Sequence, residues 1–138
     1  MTLGAEDRMA VTELIGLHGH LVDNGELDRL DELFTADVVY DATAMGHGTM
    51  HGTAAVRETA RAMRDHGPLG HHVTNIVLTA VDGDRVRARS KGIGVRADGS
   101  CASVTYDDLV VRGPNGWRIS RREVTGRRPS TGSDERTE

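Results

Sequence analysis

Aromatic residues make up only 3% of this sequence, and it holds one cysteine and three prolines. So few aromatics leave no platform on which the bases of a nucleic acid strand would stack. The lone cysteine, Cys101, cannot close a disulfide within the chain, which suits a reducing compartment. It reads as a small strand residue, since a reactive thiol needs an activating environment. A positive charge excess is also lacking. The formal net charge is -4 with arginines scattered along the chain, so neither nucleic acid nor an anionic membrane is expected as partner. No apolar run is long enough to span a bilayer. The opening MTLGAEDRMAVTEL lacks the basic stretch and apolar core of a signal peptide. Together these absences predict a cytoplasmic protein. No glycine-rich phosphate cradle or dinucleotide fingerprint occurs, and the seven histidines form no His-Glu-x-x-His helix. His47 and His51 are spaced by four, but in a glycine-rich loop, so no metal and no cofactor is expected.

What is present fits one globular domain. The chain has 138 residues, 37% hydrophobic and 28% charged, enough for one sizeable core. Residues 5–22 read as a helix, with Val11, Leu14, Ile15, His18 and Val22 on one face. Glu6 and Asp7 suit its positive end, and Asn24-Gly25 would stop it. A short helix over Glu26–Phe34 and a β-prone run over Asp37–Asp41 follow. Gly46–Gly52 is punctuated by glycine and predicts a tight turn or very short strand. Thr53 is placed to cap a third helix reaching about Asp65, ended by Gly67-Pro68.

From His71 onward the period changes. Residues 71–81, 85–96, 100–112 and 117–124 are β-rich, separated by segments containing Asp-Gly or Asn-Gly. Between Arg85 and Arg89 the alternation is strict, with Val86 and Ala88 on one side and arginines on the other. Residues 126–138 lack apolar side chains and read as a disordered tail after a domain over 1–125. Helices followed by antiparallel strands predict an α+β fold: three N-terminal helices on one curved, mainly antiparallel sheet, with a pocket in the concavity.

The order of elements and five short pieces resemble the SnoaL-like family of the nuclear transport factor 2-like superfamily. The pieces are Val22–Asp28, Leu33–Asp37, Gly48–Gly52, His71–Asn75 and Gly116–Arg122, and the resemblance covers about residues 5–125. The family includes dehydratases, dehydrochlorinases, isomerases and polyketide cyclases. The resemblance implies a cone-shaped fold and a homo-oligomer, dimer or trimer. It also implies an aspartate at the end of the first helix paired with a histidine at the start of the first long strand. Asp23 and His71 stand at those places, and Arg122 matches a pocket arginine of the dehydrochlorinase branch. The chain departs from the scytalone dehydratase pattern in two ways. Val22 stands where that family has a tyrosine, and the strand over 85–96 holds no second histidine.

An Asp–His pair is an acid–base device: imidazole takes a proton near neutral pH, and the carboxylate fixes its tautomer and stabilises the imidazolium. Adjacent strand residues face opposite sides, so His71 competes with His72, and Arg121 with Arg122, for the pocket. The resemblance selects His71 and Arg122. His18 lies on the apolar face of the first helix, within reach of the pocket, and Tyr40 can donate a hydrogen bond to a bound oxygen. Arg122 is positioned by the resemblance to meet a developing oxyanion or leaving group. The expected function is cofactor-independent acid–base catalysis by Asp23, His71 and Arg122. His18 and Tyr40 would bind a small, largely apolar, polyketide-like substrate, a class implied by the family. A non-catalytic binder or oxygenase accessory subunit of the same fold is the alternative.

Overall fold

The computed structural model describes residues 3–127; the tail expected over 126–138 lies, beyond Arg127, outside the described residues. The first helix, α1, spans Ala5–Asp23 and buries Val11, Leu14, Ile15, His18 and Leu21. Asn24 keeps a right-handed backbone, and the left-handed residue that ends the helix is Gly25, at φ 73°. The second expected helix is a 3-10 turn, Leu27–Glu32, burying Leu27 and Leu30. Phe34 is not part of it. It opens strand β1, Phe34–Ala42, because its ring is needed in the core.

After a single 3-10 turn at Thr43–Met45, the glycine-rich stretch forms β2, Gly48–His51. Helix α2 runs Thr53–Met63. Thr53 does not cap it. Gly52 holds that position, and the Thr53 hydroxyl donates to the Thr35 carbonyl at 2.7 Å, tying α2 to β1. Four long strands follow: β3 Gly70–Asp82, β4 Arg85–Val95, β5 Cys101–Gly113 and β6 Gly116–Thr125.

The sheet has six strands in the order β2-β1-β6-β5-β4-β3, rather than the four of the C-terminal runs alone. All pairings are antiparallel except β1 with β6. Val86, Ala88 and Ser90 point inward from β4 while Arg85, Arg87 and Arg89 face out, as the alternation predicted. The core lies between α1 and the inner face, around Ile15, Leu21, Leu33, Val38, Val110 and Ile119. Asp7 does more than complement a helix dipole. It accepts two hydrogen bonds from Arg112 and one from Trp117 Nε1, clamping the start of α1 to the β5–β6 hairpin.

Register slips occur on β1, β3 and β6, and two of them bear on the site. In β3 the register slips between Thr74 and Val77, and Asn75 takes the left-handed φ of 55°. In β6 the slip falls opposite Leu109 and Val110, and the Ser120 hydroxyl donates to the Leu109 carbonyl. Each of these two slips reverses which residues face inward. On β3 the inner set passes from His71 and Val73 to Ile76, Leu78 and Ala80. On β6 it passes from Trp117 and Ile119 to Arg122 and Val124.

Candidate functional site

A cavity of about 430 Å³ opens between α1, α2 and the concave sheet face, a size usual for small-molecule sites. Its wall is largely apolar, with Met45, Met50, Met63, Leu69, Val104 and Val124 among the residues that line it. Polar side chains reach it as well, His47, Thr59, Arg64, Asp65 and Arg96 among them. Asp23, His71, His18 and Tyr40 all line it, and Tyr106 does too, a residue that the sequence did not single out. His72 is exposed on the opposite side of β3.

Asp23 stands on the last turn of α1 and His71 on the second residue of β3. His71 Nδ1 lies 2.7 Å from Asp23 Oδ1, and the His71 backbone N–H donates to Oδ2 at 2.9 Å. One carboxylate therefore fixes both the strand and the ring. With Nδ1–H donating to the carboxylate, Nε2 is left as the basic nitrogen. Both side chains are about three-quarters buried, at 24% and 23% exposure, so the pair is shielded yet reachable.

The close approach of α1 to β3 depends on Gly19. A Cβ there would fall directly on the His71 carbonyl oxygen, a backbone atom that cannot swing away. On helix propensity alone Gly19→Ala would stabilise α1 by about 1 kcal/mol. We expect the opposite: a lower melting temperature and reduced turnover, because β3 must be pushed off the helix at the residue carrying the imidazole. Thermal melts and turnover of this variant check the expectation. Spacing arguments gave no sign of this contact, since the signal is a single glycine on an otherwise good helix.

His18 sits 5.9 Å from His71, edge to face, and 5.8 Å from Tyr106 between ring centroids. Burial, then the nearby charge of Arg122 and of His71, holds its pKa well below the ordinary histidine value. The folded state thus binds this proton less readily than the unfolded one. Its contribution to stability is complete above the unfolded value near 6.5 and is lost as pH falls below it. The slope for one such group is at most about 1.4 kcal/mol per pH unit. A His18→Phe variant should therefore lose less stability than wild type between about pH 6.5 and 5, measured by denaturant titration.

Arg122 is fully buried, as is Asp108, and the two form a paired bridge at 2.7 and 2.8 Å. The guanidinium does not line the cavity. It lies behind the wall, 4.2 Å from the Tyr106 ring centroid and 5.9 Å from that of Tyr40. Burial opposes its charge, but the Asp108 carboxylate outweighs that and keeps its pKa above the ordinary value. Burial pushes the Tyr106 phenol up to about 12 and raises that of Tyr40 as well. Both phenols thus stay protonated near neutral pH and can donate hydrogen bonds. Asp108 had a readable signal, being a carboxylate in phase with the buried Tyr106 and Val110 on β5.

Among the described residues no group of three or more His, Cys, Asp or Glu side chains is arranged to hold a metal ion, and no helix is long and apolar enough to cross a membrane. Residues 4–123 match the family described as the SnoaL-like domain. An uncharacterized Mycobacterium tuberculosis protein, Rv2910c, is 29% identical over 125 residues, covering 86% of this chain and 84% of its own. A solved Novosphingobium aromaticivorans structure bearing the name of an aromatic ring hydroxylase is 28% identical, with a TM-score of 0.78 over 93% of this chain and 94% of its own. Another from that organism, assigned as a scytalone dehydratase, superposes with a TM-score of 0.75 at 20% identity over 88% and 85%.

Proposed function

Because the chain belongs to the SnoaL-like domain family, we propose that it is a cofactor-independent acid–base enzyme acting on a small, largely apolar compound. The family has enzymes among its relatives, the dehydratase branch included. The observation that carries the reading is the 2.7 Å contact between His71 Nδ1 and Asp23 at the edge of an apolar cavity. His71 Nε2 takes a proton from the substrate. Asp23 holds the ring in the required tautomer and stabilises the imidazolium that forms. The apolar wall excludes water, which strengthens that coupling. Tyr40 and Tyr106, kept protonated by burial, are donors for an oxygen that gains negative charge. Arg122 acts through them as a positioning residue: its charge lies behind both rings and favours negative charge in front of them.

The reaction class is elimination, isomerisation or cyclisation, each of which begins with loss of a proton beside an activating group. Deuterium uptake from solvent into the carbon skeleton of candidate carbonyl and polyol compounds, followed by NMR, tests the reading. Ligands that bind in the cavity with no exchange and no turnover would instead support a binding or accessory role. The aromatic ring hydroxylase name carried by the structure 28% identical to this chain favours that second reading.

A further inference from the structure

Among the described residues four buried polar side-chain atoms have no hydrogen-bond partner, and three of them cluster beside the cavity wall: His18 Nδ1, Ser90 Oγ and Arg122 Nη1. Their residues are 7%, 2% and 0% exposed. All three border Tyr106. Ser90 is its cross-strand neighbour on β4, the Arg122 guanidinium lies over its ring, and His18 packs against it from α1. Buried polar groups in folded proteins are nearly all paired, so this trio calls for a function or a bridge.

The three differ in what they can offer. Arg122 Nη1 can only donate, a hydroxyl can accept and donate, and imidazole Nδ1 does either according to tautomer. None of the three has another of them as its partner. His18 Nδ1 is sealed within the protein on a ring that feels the Arg122 charge, which favours a lone pair there over a proton, so the ring proton sits on Nε2. Since Nδ1 is sealed from solvent while the ring lines the cavity, Nε2–H is the group presented to a ligand. The charged and titratable groups that face His18 are His71 with its partner Asp23, Tyr106, and Arg122 with its partner Asp108. With Arg122 beside it and its own burial nearly complete, the imidazole is held neutral.

We propose that His18 is the electrophilic partner of His71: a neutral imidazole whose Nε2–H binds the carbonyl oxygen of the substrate while His71 takes a proton from the adjacent carbon. This rests on the Asp23–His71 reading and narrows the substrate class to small apolar ketones, aldehydes or thioesters with an enolisable C–H. In the step, the C–H bond breaks and its proton goes to His71 Nε2. The electron pair forms a C=C bond, and the carbonyl π pair moves onto oxygen as an enolate. His18 keeps its proton and stabilises the oxygen by hydrogen bonding, as a neutral imidazole can. Return of the proton to another carbon, or loss of a substituent one carbon further on, completes an isomerisation or an elimination.

The test uses the full chain and β-tetralone, a bicyclic ketone with acidic C–H groups. Wild type is expected to exchange those hydrogens with heavy water. His71→Ala should slow exchange at least about 10²-fold, and His18→Phe by about 10²–10³-fold. His18→Phe should also return the infrared carbonyl stretch of the bound ketone to its value in apolar solvent, and His18→Gln, which keeps an N–H donor, should restore part of both. Independently of any variant, nitrogen NMR of the unliganded protein should show Nδ1 of His18 unprotonated and Nε2 protonated near neutral pH. The reverse tautomer, wild-type exchange by His18→Phe, or no exchange by wild type overturns the assignment. If His71→Ala is impaired and His18→Phe is not, only the His18 role falls. If His71→Ala exchanges at the wild-type rate, the dyad reading falls and takes this one with it.

Discussion

Replacing His71 by alanine is expected to lower turnover by about 10²–10⁴-fold, the range for removing a general acid–base group. Asp23→Asn should approach the same loss for a different reason. The carboxylate accepts from both the backbone N–H and the ring Nδ1–H of His71. An amide has one oxygen, so its NH2 must face one of those two donors. If it faces the ring, Nδ1 must accept, the proton moves to Nε2, and the base is gone. The two losses should not add, because the residues act as a unit on one step. His72→Ala, on the exposed side of β3, should cost far less. The variants must keep their melting temperatures within a few degrees of wild type, since a folding defect imitates a catalytic one. An active, folded His71→Ala protein together with a dead His72→Ala protein would be incompatible with the geometry.

The second large effect is on stability. Asp108→Ala leaves the Arg122 guanidinium charged, fully buried and without its two hydrogen bonds. Breaking such a pair costs about 3–5 kcal/mol, a large share of the stability of a domain this size. Arg122→Met should cost a similar amount by stranding the carboxylate. The double variant Asp108→Leu with Arg122→Met should recover much of the loss, because it removes both desolvation costs and fills the space with apolar groups. It should not recover turnover, since Tyr40 and Tyr106 lose the charge behind them. Chemical denaturation and kinetics on the same four proteins separate the two effects. A double variant whose loss equals the two single losses added together would mean that the two charges do not depend on each other.

These expectations draw unequally on the sequence. The four C-terminal strands were legible almost to the residue, because Asp-Gly and Asn-Gly segments punctuate them and Val86 and Ala88 alternate with arginines. Helix α1 was legible because its apolar residues recur at helical spacing. Glycine marked β2, but nothing local showed that β1 and β2 join the sheet beside β6, since strand partners are chosen over long sequence distances. The 3-10 character of Leu27–Glu32 was likewise a tertiary outcome: Phe34 is drawn into the core and shortens the segment left for a helix.

For the site, the resemblance to the SnoaL-like family pointed to Asp23 with His71, while the residues of the strand by themselves left His71 and His72 open. The choice within the pair was tertiary. Counting back by twos from the inward Ile76, Leu78 and Ala80 would turn His72 inward. The bulge at Asn75 inserts one residue and reverses the phase, so His71 faces Asp23 instead. The same device decides Arg122 over Arg121: alternation from Trp117 and Ile119 favours Arg121, and the slip at Ser120 overrides it. A period of two carries information along a strand only while the ladder is unbroken. A bulge is set by cross-strand packing and hydrogen bonding, which no single strand's residues specify.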